Sequence, residues 1–222
     1  MEFLSRRSIL AGVAGAVSLP AGPSAASAAS AEDPVERLLA GNRRFRAGRA
    51  RHPRQSPADV RRLAAGQRPF AVVLGCADSR VSPEVLFDQG LGDLFDNRVA
   101  GNVVDPVVLG SVEFAVSEFA PALLLVLGHE RCGAITAAVS ALSTGRAPAG
   151  SIGAVVEALR PAVAAVHDAP GDPVENAVVA NVRHQAGLLT ARSAIVQSAV
   201  AAGTTRVVGA RYDLNTAEVT LV

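Results

Sequence analysis

The sequence predicts an α/β fold, a central and mostly parallel β-sheet flanked by helices, on two observations. Three short apolar runs, Pro69–Gly75, Leu123–Leu127 before Gly128 and Thr205–Val208 before Gly209, each end at glycine. Continuous apolar runs of that length suit strands buried on both faces of a parallel sheet. Longer stretches of helical patterning lie between them, so strand and helix alternate as parallel crossover units require.

Residues 1–31 carry the three parts of an export signal: a basic start at Arg6 and Arg7, an apolar stretch from Ile9 to Pro20, and a tail of small residues. Ala29-Ser30-Ala31 suits cleavage. The apolar stretch is too short to anchor a helix in a bilayer and runs into Pro20, Gly22 and Pro23. Ser5-Arg6-Arg7-Ser8-Ile9-Leu10 is similar to a twin-arginine signal, a route that carries folded proteins. The expected destination is the periplasm, the cell envelope or the medium.

Residues 32–222 then read as one globular domain, since the 222-residue chain is long enough for one sizeable core and short for two. Helical patterning covers Pro34–Arg49 and Pro57–Ala65, where Ser56 suits an N-cap and Pro57 the first helical position. After the Pro69–Gly75 strand, helices are expected at Val104–Glu118, Cys132–Ala141, Ile152–Val166 and, unusually long, Val174–Ala201. Glu218–Val222 reads as a short edge strand.

Charge narrows the function. Setting aside Arg6, Arg7 and Glu2 from 21 basic and 20 acidic residues leaves equal numbers of each. There is no Trp, one Tyr and no long basic run, which excludes the basic, aromatic-studded surface that nucleic acid requires. The most basic stretch, Arg43–Arg54, reads as a solvated helix face and linker. No apolar run in residues 32–222 is long enough for a membrane span.

The two cysteines, Cys76 and Cys132, fit a disulfide in an exported chain as far as count alone goes. Their neighbours point elsewhere. Gly75-Cys76-Ala77-Asp78-Ser79-Arg80 follows the first strand, and Gly128-His129-Glu130-Arg131-Cys132-Gly133 follows the second. In an extended turn residues two apart point the same way, so Cys76 and Asp78 can address one point; at a helix start residues three apart share a face, as do His129 and Cys132. Four donors can thus converge beyond the carboxyl ends of adjacent strands, where sheets of this class place ligands. Thiolate and imidazole together favour zinc, with three protein ligands and one open position when the site is catalytic.

Cys76-x-Asp78-Ser79-Arg80 with His129-x-x-Cys132-Gly133 resembles the signature of the β-class carbonic anhydrases. Phe87–Phe95, Arg98-x-Ala100-Gly101-Asn102, Leu109–Glu113 and Asn181-Val182-Arg183 are similar to further segments of that family. The resemblance implies one Zn2+ per chain on Cys76, His129 and Cys132. Asp78 is then either a fourth ligand or paired with Arg80. The activity it implies is the reversible hydration of carbon dioxide to bicarbonate and a proton by zinc-bound hydroxide, with Asp78 accepting that hydroxide's hydrogen bond.

Gln67, Phe95 and Ala100 match positions that face substrate, and the absence of Trp, with Val73 three residues before Cys76, favours the open form of the site. The resemblance also implies a homodimer or homotetramer, with the first helix wrapping a partner. Phe114 stands where many relatives have Tyr, and Asp96-Asn97 replaces a usually apolar pair. His52, His167 and His184 read as surface or helix-face residues, and the sequence does not identify a proton shuttle. A carbonyl sulfide or carbon disulfide hydrolase of the same fold and a catalytically silent zinc or disulfide-stapled module are the competing readings.

Overall fold

The computed structural model describes residues 32–146 and 148–222. The expected export segment, residues 1–31, lies outside the described residues. A five-stranded sheet forms the centre: β1 (Ala71–Gly75), β2 (Leu94–Arg98), β3 (Leu123–His129), β4 (Arg206–Tyr212) and β5 (Val219–Leu221), in the order β2-β1-β3-β4-β5. β1 to β4 run parallel and β5 returns antiparallel to β4. Every residue of β1 and β3 is buried, as their continuous apolar runs require.

The apolar runs mark where strands start better than where they stop. β3 continues through Gly128 to His129, and β4 continues through Gly209 to Tyr212. β2 was not anticipated, because Asp96 and Asn97 interrupt its apolar pattern. It persists as an edge strand, paired on one side with β1, where polar side chains are tolerated.

Among the described residues, eight α-helices flank the sheet: α1 (Pro34–Arg46), α2 (Pro57–Leu63), α3 (Pro83–Leu86), α4 (Pro106–Phe119), α5 (Gly133–Thr144), α6 (Ile152–Ala164), α7 (Pro173–Arg192) and α8 (Ala194–Ala201). An Asp-Pro or Ser-Pro pair starts five of them, at Asp33, Ser56, Ser82, Asp105 and Asp172. Proline there is preset for a first turn that needs no amide donor. Ser56 and Asp59 form a reciprocal capping box. The single long helix expected over Val174–Ala201 is two, because Ser193 is extended and its hydroxyl caps α8 by accepting from the Val196 amide at 3.1 Å.

Successive strand residues point to opposite faces of the sheet, so Val73 and Leu125 pack beneath α1 and α3 while Val72 and Leu124 pack beneath α4, α7 and α8. A third apolar cluster joins α5, α6 and α7 around Ile135, Val156, Leu159 and Val178 and includes Cys76 and Cys132. The basic stretch Arg43–Arg54 is mostly exposed, as a solvated helix face and linker should be, and some of its groups also strap the domain. Arg44 Nε reaches the buried Asp88 carboxylate at 2.6 Å, the Arg51 and His52 amides donate to the same carboxylate, and Arg46 pairs with Glu218 at 2.7 Å.

Candidate metal centre

Cys76 leaves the carboxyl end of β1, and His129 is the last residue of the neighbouring β3. His129 therefore projects from the carboxyl end of a strand, as its place after the second apolar run implies. The chain reverses through Arg131, whose φ is 52°, and Cys132 becomes the N-cap of α5. That turn brings Cys132 Sγ within 3.9 Å of Cys76 Sγ, with no bond between them. One donor atom from each of Cys76, His129 and Cys132 lies within 4.8 Å of the others, and all three residues are buried.

The imidazole is oriented for ligation. Its Nδ1 lies 2.9 Å from the Glu130 carbonyl, an acceptor, so Nδ1 carries the proton and Nε2 keeps its lone pair. Nε2 is buried and has no hydrogen-bond partner, an arrangement a metal ion would satisfy. Two thiolates on a tetrahedral zinc at about 2.3 Å would stand about 3.8 Å apart. The sulfurs already have that spacing, so the donor set fits zinc.

The three donors perturb one another's ionisation. The Cys132 thiol, donating to Cys76, pulls the Cys76 pKa down against its burial, and the same contact with burial pushes Cys132 up. Burial disfavours a charged His129, but the neighbouring Cys76 sulfur and the charges of Cys76 and Asp78 outweigh this and raise it.

Asp78 stands beside the cluster, with Oδ2 3.9 Å from His129 Nε2. Arg80 holds that carboxylate in a bidentate pair and, as the largest cause, keeps its pKa well below the usual carboxylate range. Arg98 braces the loop behind it, donating from Nε to the Cys76 carbonyl at 2.9 Å and from Nη2 to the Asp78 carbonyl at 2.6 Å.

The family model for carbonic anhydrase matches residues 71–219. Carbonic anhydrase 2 of Mycobacterium tuberculosis (strain CDC 1551 / Oshkosh) is 44% identical over 178 residues, 80% of this chain and 86% of that protein. The chain belongs to the β-class carbonic anhydrases. Carbonic anhydrase of Mycolicibacterium smegmatis is likewise 44% identical, over 177 residues, with 80% and 86% coverage. The structure of the Coccomyxa β-carbonic anhydrase in complex with acetazolamide superimposes with a TM-score of 0.65 at 29% identity, covering 86% of this chain and 87% of that one. The protein is therefore a lyase of the carbonic anhydrase type.

Within this carbonic anhydrase the remaining expected site residues divide. Ala100 opens a 3-10 turn (Ala100–Asn102), and the amide of the next residue, Gly101, helps to lower the Cys76 pKa. Gln67 lies before the amino end of β1, the end opposite Cys76, and lines a surface cleft with Leu63, Leu91 and Gly92. Phe95 is paired in register with Val72, about 13 Å of strand short of Cys76. It packs against Phe119 and Phe114 with ring centroids 5.8 and 6.3 Å away. One chain thus does not bring Gln67 and Phe95 to its own metal cluster. His52 and His167 are exposed and His184 is half-buried.

Two supporting groups escaped the sequence reading. Gln185 accepts from the Val104 amide at 2.8 Å and donates to Asn181 at 2.9 Å, and Asn181 donates to the Gly101 carbonyl at 3.0 Å. Glu130 accepts from the Leu214 amide at 2.9 Å and the Asn215 amide group at 2.8 Å, tying the metal turn to the loop after β4. The only sequence signal for the first was a pair of polar residues, Asn181 and Gln185, four apart on the face of α7 that also carries Ala177, Val178 and Leu189.

Proposed function

We propose that the chain catalyses the reversible hydration of carbon dioxide to bicarbonate and a proton, with one Zn2+ held by Cys76 Sγ, His129 Nε2 and Cys132 Sγ. The observation that carries this reading is the buried, unpartnered Nε2 of His129 facing two sulfurs at zinc-compatible spacing. When bound there, zinc supplies a Lewis acid that makes water nucleophilic near neutral pH.

The chain's own residues supply the rest. The Glu130 carbonyl fixes the His129 tautomer, and the amino end of α5 places peptide dipoles beside the Cys132 sulfur. Asp78, kept anionic and turned by Arg80, is an acceptor positioned to orient the proton of the attacking water and so direct its lone pair at the carbon. The Arg98 donors hold the loop that carries both Cys76 and Asp78.

Substrate contacts are proposed to need a second copy of the chain, in a homodimer or homotetramer. Gln67 and Phe95 sit at the far end of their strands, and exposed apolar residues on α4, Phe114 and Val107, suit a contact between copies. Gln67 of one protomer then offers an amide donor to a substrate oxygen at its partner's metal centre, beside Ala100. Residues 1–31 are proposed to direct export of the 32–222 domain, a reading supported by the Arg6-Arg7 start and the apolar stretch after it. No helix among the described residues is long and apolar enough to cross a membrane.

Stopped-flow hydration of carbon dioxide by protein starting at Glu32, with zinc measured per chain and Cys76→Ser alongside, tests the reading. Rapid hydration with about one zinc per chain, both lost in the variant, is expected. A full complement of zinc without hydration would overturn it and favour a sulfur-containing substrate or a silent metal module.

A further inference from the structure

The turn that joins two residues of the metal cluster is held from outside by an acid that takes no part in the chemistry above. His129 ends β3 and Cys132 caps α5, so only Glu130 and Arg131 lie between them. The Glu130 amide donates to the Tyr212 carbonyl at 2.9 Å, which ties the first half of the turn to the end of β4. Arg131 then turns left-handed, with a φ of 52°. A residue with a Cβ disfavours that backbone and keeps it only where its neighbours hold it there.

The holding group is a carboxylate. The Arg131 amide donates to Glu175 Oε1 at 3.2 Å, across 44 residues of chain. Glu175 lies in the first turn of α7, and its other oxygen, Oε2, accepts from Arg211 Nε of β4 at 2.7 Å. One oxygen thus serves a backbone amide of the metal turn and the other a guanidinium. Both hydrogen bonds are charge-assisted and so stronger than neutral ones. The Glu175 and Arg211 side chains are only 29% and 20% exposed, which limits competition from water.

The placing of Cys132 relative to His129 follows from the backbone of the two residues between them. If the Arg131 amide loses its acceptor, the turn relaxes toward a right-handed or extended backbone and carries Cys132 away from its place beside His129 and Cys76. We propose that Glu175 is a positioning residue for the metal centre, fixing the His129–Cys132 geometry through the Arg131 amide. The inference rests on the zinc reading of the cluster and adds to it a residue whose hydrogen bonds go to neither sulfur nor imidazole.

The test loads the full chain with cobalt(II) in place of zinc, because the visible bands of cobalt held by thiolates report ligand geometry, and compares the wild type with Glu175→Ala and Arg211→Met. Both variants lose the ion pair and are expected to melt below the wild type, but only Glu175→Ala frees the Arg131 amide. Glu175→Ala is therefore expected to shift the cobalt bands and to release metal to a chelator about 10-fold faster. Arg211→Met should keep the wild-type bands and release rate. Hydrogen exchange at the Arg131 amide, measured on metal-free protein, should quicken in Glu175→Ala alone. Wild-type bands and release in Glu175→Ala overturn the proposal, and so do equal changes in the two variants, which would leave Glu175 as an ion-pair partner only. A wild type that takes up neither cobalt nor zinc overturns the function proposed above, and the exchange of the Arg131 amide then decides by itself whether Glu175 holds the turn.

Discussion

Arg80 grips Asp78 from two directions: Nε donates to Oδ1 at 3.0 Å and Nη2 to Oδ2 at 2.7 Å, while the Arg80 amide donates to Oδ1 at 2.9 Å. All three donors come from a residue two positions along a tight turn, so the carboxylate is fixed by its own loop. A carboxylate with both oxygens engaged and one of them 3.9 Å from His129 Nε2 stays close to a metal without being free to swing.

Replacing Arg80 by Ala releases that carboxylate. Hydration is expected to fall about 10- to 100-fold, the usual cost of losing an outer-shell partner, while zinc stays at the wild-type level because the three ligands are untouched. Arg80→Lys should recover only part of the rate, since a point charge cannot reproduce the planar fork. Stopped-flow rates beside zinc analysis check this, and an unchanged rate in Arg80→Ala would remove Arg80 from the mechanism.

Gln185 supports the metal loop from behind through the Val104 amide and Asn181. Gln185→Leu keeps the volume but strands a buried amide and the Asn181 carbonyl oxygen. A loss of about 1–3 kcal/mol in urea unfolding is expected. Because Asn181 also holds the Gly101 carbonyl, zinc release to a chelator should accelerate as well. A variant as stable as the wild type would mean that water replaces the lost partners.

These contacts mark how far the sequence was legible. Strands buried on both faces announce themselves by composition, so β1 and β3 were readable from Ala71–Leu74 and Leu123–Leu127. β2 was hidden because an edge strand can carry Asp96 and Asn97, and α3 because a four-residue helix has no periodicity to read. The convergence of Cys76, His129 and Cys132 was legible because the ends of neighbouring parallel strands fix their place. Gln67 shows the limit: nine residues of sequence separate it from Cys76, but a strand of extended chain lies between, carrying them to opposite ends of the sheet. The roles of Arg98 and Gln185 depend on carbonyls and amides of other segments, which no side-chain pattern encodes.

Gly128, just before His129, is a position where a side chain has no room. A Cβ there would lie 2.5 Å from Val182 Cγ2 and 3.2 Å from Val178 Cγ1 on α7. Gly128→Ala is expected to force α7 away from β3 at a cost of about 1–3 kcal/mol, with weaker zinc retention because His129 moves with the strand. Gly128→Ala combined with Val182→Ala should regain part of the stability by clearing the nearest methyl group. Denaturant unfolding of the single and double variants measures both effects, and full stability of the single variant would contradict the packing.

Asp213 ties the stability of the loop after β4 to pH. Its Oδ1 accepts from the Asn215 and Thr216 amides, each at 2.9 Å, and its Oδ2 from Arg211 at 3.2 Å. The Thr216 amide is the largest cause that brings its pKa down to about 2. A carboxylate depressed in the folded state contributes stability that is complete above its ordinary value near 3.8 and lost as pH falls through about 2. Asn is an uncharged mimic of the protonated acid. Asp213→Asn is therefore expected to melt a few degrees below the wild type at neutral pH, and the gap should close as pH drops from about 4 to about 2. Any loss of zinc or protonation of the metal ligands in acid affects both proteins alike and cancels in the comparison. Because the capped loop also carries the Leu214 amide and Asn215 that Glu130 grips, the variant should lose zinc faster at neutral pH as well. A melting gap that stays constant through the acid range would show that Asp213 acts through shape alone, with no contribution from its charge.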